Sequence, residues 1–206
     1  MADPVDFVVK KLPYDFYKDL QPVHFVGTGG QVVVVRPAEP ANTLADFIAA
    51  LRQRGRAPLY GSGGLASPAH LAGQALASLA GLKATHIPYK GSPDSINGLI
   101  GGDIDYIVTT IPTAAPLVRA GKLKALAVTT SERDPAFPEV PMLTEALPPG
   151  FVYEPWSAMV TGARVPAAQV RRLAEAMRSL QDDKELTRRL LETAGLKTRH
   201  IPLDKV

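Results

Sequence analysis

Hydrophobic and polar positions change period repeatedly along this chain, and each change marks an element. Residues 23–37, "VHFVGTGGQVVVVRP", form a β-rich run broken by the glycines between 27 and 30 and ended by Pro37 and Pro40. Residues 43–55, "TLADFIAALRQRG", place apolar side chains at 44, 47, 48 and 51 behind a capping Thr43 and stop at Gly55. That spacing predicts a short amphipathic helix. A brief strand in "APLYG" then leads through a glycine-rich loop to a helix in "PAHLAGQALASLAG", with proline in its first turn and glycine at its end.

The alternation continues: strand "ATHIPY", loop "KGSPD", helix "SINGLIGG", strand "DIDYIVTT", helix "PTAAPLVRAG", strand "LKALAVTT". Strands alternating with helices predict an α/β fold around a parallel sheet. Residues 131–150 carry five prolines in twenty positions, so this stretch reads as a crossover or hinge rather than a long element. After it come an extended segment, "FVYEPWSAMVTG", and two helices, "PAAQVRRLAEAMRSLQ" and "DKELTRRLLETAG", the second opening on acidic residues as the helix dipole favours. The chain thus divides into a central α/β lobe, residues 37–128, and two flanks, 1–36 and 129–206. The first flank offers little regular structure for the C-terminal helices to pair with. They are expected either to lean on the central lobe or to have lost an N-terminal partner.

Composition narrows the chemistry. The 206 residues carry a net charge of +3, but the 23 basic side chains are interspersed with 20 acidic ones and aromatic residues are few. Nucleic acid is therefore not an expected partner. No cysteine is present, which excludes disulfides and thiolate chemistry. The histidines at 24, 70, 86 and 200 include no pair at a helical ligand spacing, so no metal is expected. No apolar run reaches the ~18 residues of a membrane span. The N-terminus, "MADPVDFVVKKLPYD", lacks the basic and apolar regions of an export signal, and as written the chain is not expected to be secreted.

Chemistry concentrates in the loop "GSGGLASPAH", residues 61–70. "GSGGLA" matches the G-x-G-x-x-A dinucleotide pattern, yet no acidic residue follows at the end of the next strand to take a ribose. Ser62 with His70 offers a nucleophile and base, although Tyr60 stands where a nucleophile elbow has its first glycine. A third reading is anion binding. Glycines let backbone N–H groups approach a ligand, a helix start presents partial positive charge, and Ser62 and Ser67 add hydroxyls. Two further loops leave strands in the same sense, "IPYKGSPDS" with Tyr89, Lys90, Gly91 and Ser92, and "TTIPT" opening on Thr109. On a parallel sheet all three lie at one edge, where ligands of such folds bind.

Taken in order, "LPYDFYKDLQPV", "YGSGGLASPAHLAG", "HIPYKGS", "GGDIDYI", "AGKLKALAVTTSERDPAFPEVPMLTEA" and "KELTRRLLETAG" resemble the extracytoplasmic solute receptors of tripartite tricarboxylate transporters, the Bug family, from about Lys11 to Leu196. The resemblance implies a type II periplasmic binding protein, a two-lobed Venus flytrap, here with one complete lobe and an incomplete second one. It implies capture of a small organic carboxylate, delivery to membrane permease subunits, a periplasmic location, no cofactor and no catalysis. The ligand would be held mainly by backbone N–H groups and waters of the loops matching Ser62, Gly63, Gly64, Ser67 and His70, and Tyr89 to Ser92, with Thr109 beside them.

The sequence departs from that family pattern in several places. The signal peptide, most of the first lobe with its P-x-G-G-x-x-D loop, and a last helix have no counterpart. Ala66 stands where glycine is common and Pro68 where a polar residue is common, which removes one N–H donor, while Thr109 and Thr110 replace an acid and amide. Two functional expectations follow: a receptor that still binds a carboxylate, or a scaffold retained as an interaction module. In either, the apolar surface left by an incomplete lobe is expected to promote homo-oligomer formation.

Overall fold

The computed structural model describes residues 13–147, 149–199 and 201. The N-terminal stretch considered for an export signal lies mostly outside the described residues, as does His200. In chain order the elements are α1 (Phe16–Asp19), β1 (Leu20–Gly29), β2 (Gln31–Val35), α2 (Leu44–Gln53), β3 (Leu59–Ser62), α3 (Pro68–Leu79), β4 (Thr85–Pro88) and α4 (Ser92–Gly101). They continue with β5 (Tyr106–Thr110), α5 (Ile111–Arg119), β6 (Lys124–Val128), α6 (Leu143–Ala146), β7 (Trp156–Gly162), α7 (Ala167–Gln181), α8 (Lys184–Ala194) and β8 (Leu196–Thr198).

The chain forms two compact units, Gly30–Glu154 and the combination of Met1–Gly29 with Pro155–Val206. The larger unit holds a five-stranded sheet in the order β4-β3-β5-β2-β6. β2 lies inside it and is buried along its whole length, which explains its uninterrupted valine run. Val33 and Val35 face a core built with Leu44, Phe47 and Leu51 of α2 and Leu76 of α3. Val32 and Val34 face the opposite core, with Ile96 and Leu99 of α4 and Ile111 and Ala114 of α5. The period of two along β2 thus supplies both faces of a three-layer unit.

The sheet is mixed, where the alternation of elements predicts a parallel one. β3 pairs in parallel with β4 and β5, while β2 runs antiparallel to both β5 and β6. Periodicity reports that a helix separates two strands but not which strand a third one will join, and β2 bonds only to strands far from it in sequence. The unit also extends beyond the 37–128 span drawn from the sequence. Gly30 to Val35 add the β2 strand, and the proline-rich stretch returns to the same body: Val128 bridges Met142, Leu143 is fully buried, and Thr129 and Tyr153 exchange hydrogen bonds of 2.6 and 2.8 Å.

The smaller unit corrects the expectation that the first flank carries little regular structure. β1 is ten residues long and pairs antiparallel with β7 on one side and β8 on the other. Its ladder is irregular between Phe25 and Gly27, and there the Gln181 amide of α7 donates to the Phe25 and Val26 carbonyls at 3.0 and 2.9 Å. The C-terminal helices therefore pack with a sheet that the chain's own first strand centres. α7 buries only Val170, and α8 buries no residue.

Candidate functional site

The parallel register of β3, β4 and β5 sends the loops before α3, α4 and α5 off the same edge of the large unit's sheet. The first two touch through backbone. A Cβ placed on Gly63 would stand 3.0 Å from the Ser92 nitrogen and 3.1 Å from the Gly91 carbonyl carbon, so only glycine allows this approach without a shift. The Tyr89 N–H also donates to the Ser62 carbonyl at 3.0 Å.

The three helix starts differ. α3 is capped from within: Ser67 Oγ accepts the His70 N–H at 3.3 Å and donates to the Gly64 carbonyl at 2.8 Å, and Pro68 occupies the first turn. α4 begins at Ser92 after Gly91, earlier than "SINGLIGG" predicts because Pro93 suits a first turn, and no side chain caps it. α5 begins after Thr110, again without a side-chain cap, and the Thr110 and Thr113 hydroxyls lie 2.7 Å apart. Each of these two starts has a proline in its first turn, and the Ile111 N–H donates to the Gly30 carbonyl at 3.4 Å, so the N–H groups left to face an anion are those of Ser92, Asp94 and Thr113. Gln31, opposite Thr110 in the β2–β5 ladder, is buried with its Oε1 lacking a hydrogen-bond partner.

Of the residues singled out from sequence, the structure gathers Gly63, Gly64, Ser67, Gly91 and Ser92 at this edge. Ser62 is 1% exposed, with Oγ 2.7 Å from His86 Nε2 and 2.8 Å from the Gly64 carbonyl, so its hydroxyl is engaged inside the protein. The histidine beside it is His86, not the His70 proposed as its base. Thr109 is 4% exposed and turned inward, while Thr110 is the exposed member of the pair. The Tyr89 ring lies across Gly61 and Gly98, and together with exposed Lys90 it borders a hollow shared with Asp94, Asn97 and Asp103. The carboxylates of that hollow oppose an anion. Tyr89 and Lys90 therefore differ in setting from the glycines they adjoin.

Behind the first loop lies an aromatic column that the sequence did not reveal. Tyr106 and Tyr60 stack at 5.5 Å, Tyr60 stacks on His70 at 6.2 Å and meets His86 at 5.1 Å, and the two imidazoles are 4.0 Å apart. Burial pushes both phenols up and both imidazoles down; with His70 nearby, His86 falls to about 4. His86 sits opposite Tyr60 in the β3–β4 register, a pairing visible only once the strands are aligned. Ala66 has a left-handed φ of 63°, and its N–H donates to His70 Nδ1 at 3.0 Å. A non-glycine residue in that conformation costs roughly 1–2 kcal/mol, which local hydrogen bonds must offset. Among the described residues no three His, Asp or Glu side chains gather as a metal site, and no helix is long and apolar enough to cross a membrane.

Comparison with solved structures defines the class: an α/β periplasmic binding protein. R. palustris Rpa4515 with adipate matches with a TM-score of 0.83 and 28% identity, over 93% of this chain and 64% of that one. MatC from Rhodopseudomonas palustris with bound malate matches with a TM-score of 0.79 and 28% identity, over 89% and 62%. The chain belongs to the tripartite tricarboxylate transporter family receptors, whose model matches residues 3–201. Protein BugT of Bordetella pertussis is 31% identical over 84% of this chain and 54% of its own length. A protein from the tcbD-tcbE intergenic region of Pseudomonas sp. strain P51 is 30% identical over 81% and 50%. The chain thus spans about half the length of these curated relatives. Family and fold are those of solute-binding receptors, which are not enzymes, and the buried Ser62 fits that reading.

Proposed function

We propose that this chain is the carboxylate-binding part of a periplasmic solute receptor, presenting a small organic acid to the permease of a tripartite tricarboxylate-type transporter. One observation carries the reading: α4 and α5 start without side-chain caps on the same sheet edge, beside a glycine loop fitted against the first of them. A ligand carboxylate would accept from the few N–H groups left there, those of Ser92, Asp94 and Thr113, as a capping aspartate does from within a chain. The adipate and malate held by two structural neighbours support a dicarboxylate of similar size. On this reading residues 37–128 carry the ligand contacts, with Gly63, Gly64, Gly91, Ser92 and Thr110 nearest the acid.

Thermal unfolding with and without adipate, malate and citrate tests the proposal. A ligand at 100 times its dissociation constant stabilises the native state by about 2.7 kcal/mol, which reads as a raised melting temperature. We expect a rise with at least one acid, lost when residues 63–67 and 91–92 are replaced by a neutral linker of equal length. No rise with any of them at millimolar concentration overturns the reading. It would favour the alternative of an interaction module, which the exposed apolar side chains of the smaller unit support.

A further inference from the structure

The loop joining β3 to α3 is held by two imidazoles. His70 Nδ1 accepts the Ala66 N–H at 3.0 Å, and His86 Nε2 lies 2.7 Å from Ser62 Oγ, which accepts the Gly64 N–H at 3.2 Å. One histidine thus fixes the left-handed residue of the loop and the other fixes its glycine turn. An imidazole nitrogen accepts a hydrogen bond only while it carries no proton. The Ala66 contact therefore assigns the His70 proton to Nε2. Protonation at Nδ1 would set one N–H against another, and charging both rings would place two cations with centroids 4.0 Å apart.

We propose that His70, with the His86 ring against it, is a positioning residue that holds the 62–67 loop in its ligand-ready shape only while the His70 ring is neutral, so that acid releases the loop. The proposal rests on the reading of this loop as part of the carboxylate site. The groups facing the pair are few: Tyr60 and Ser62 from β3, each ring toward the other from α3 and β4, and Tyr106 from β5 beyond Tyr60. Asp105 acts on Tyr106, and the charge that His86 feels is that of His70. Lys90, Asp94 and Asp103 lie around the hollow beside α4, and Lys83 ahead of β4 is exposed.

The sign follows from burial. Both histidines are held below the ordinary value of 6.5 in the folded chain, His86 at about 4. Between those values the unfolded chain binds protons that the folded chain resists. The loop's support is complete above pH 6.5 and is lost as pH falls through the lowered value of His70.

The test is a pH titration of the ligand-free chain by amide and imidazole NMR, from about pH 7.5 to about pH 3, with the two ring signals followed directly because carboxylates titrate in the lower part of that span. The Ala66 amide signal should move with a midpoint that matches the ring signal of His70. His70→Asn keeps an acceptor near the Nδ1 position without a titrating proton. It should hold the Ala66 amide at its neutral-pH position and flatten its response. His70→Ala should show the released Ala66 signal already at neutral pH. Loop amides that stay fixed while the rings protonate, or that titrate unchanged in His70→Asn, overturn the proposal. Adipate affinity at neutral pH supplies the second arm: His70→Ala should bind roughly tenfold more weakly than the parent, and His70→Asn should recover part of that loss. If none of the three binds adipate, malate or citrate, the reading of the site fails, and the amide titration still decides the positioning role.

Discussion

Gly73 illustrates how one position can secure the architecture behind the candidate site. A Cβ there would stand 2.5 Å from Tyr60 Cδ2, and its carbonyl accepts the Tyr106 hydroxyl at 3.1 Å. The glycine lets α3 lie directly on the tyrosine column that backs both histidines. Gly73→Ala must displace the Tyr60 ring and should cost about 1–3 kcal/mol, the range of overpacked cores. Urea unfolding of the variant should show a lowered midpoint with an unchanged slope. Its Ser62–His86 contact should loosen as well, visible as a changed His86 ring titration. Residue-scale features of this kind were partly legible beforehand. Pro68 in the first turn and a glycine loop suited to close approach follow from local chemistry, whereas Ser67, read as a hydroxyl for a ligand, caps α3 instead. The inward turn of Thr109 and the Tyr60–His86 pairing depend on neighbouring strands and had no local signal.

At the scale of elements, the start of β3 is anchored by charge as well as by its ladder. Asp105, 8% exposed, receives Arg54 at 2.8 Å, Arg56 at 2.6 and 2.8 Å, and the Leu59 N–H at 2.8 Å. Arg54 also pairs with Glu39, so the linker after β2, the end of α2 and the entries to β3 and β5 meet at one carboxylate. Removing one member of a buried pair leaves the others without compensation and typically costs 3–5 kcal/mol. Asp105→Ala should fall toward the lower part of that range, because Arg56 is half exposed to water. A urea midpoint unchanged in this variant would refute the anchoring role. Sequence periodicity located these helices and strands to within a few residues, since caps and apolar spacing act inside one element. It missed α1, α6 and β8, which have only three or four residues and owe their form to partners.

Across the whole molecule, apolar exposure is uneven. Trp156, Met159 and Val160 of β7, Leu173 and Leu180 of α7, and Leu191 of α8 are all more than a third exposed, and all belong to the smaller unit. Among the described residues β7 stands at an end of its three-stranded sheet, with no strand paired on its outer side. The chain spans about half the length of its curated relatives, and an apolar surface of this kind is expected to find a partner. Sedimentation velocity over a hundredfold concentration range should show self-association. Trp156→Lys with Val160→Lys should reduce it without lowering adipate affinity, because both positions lie in the unit that lacks the proposed site. A clean monomer at every concentration would refute the prediction.

The sequence by itself determined the α/β class, the order of the main elements, the three loops worth attention and, through motifs spread over most of the chain, the receptor family. These are written locally: caps, prolines, glycines and apolar spacing each act within a few residues, so one-dimensional order preserves them. Tertiary structure alone decided that β2 runs against its neighbours, that β1 centres a sheet with strands from the far end of the chain, and that His86 rather than His70 meets Ser62. It also decided that α4 and α5 begin without side-chain caps. Those outcomes depend on which strands pair and in what register, a competition among contacts distant in sequence that no local pattern records.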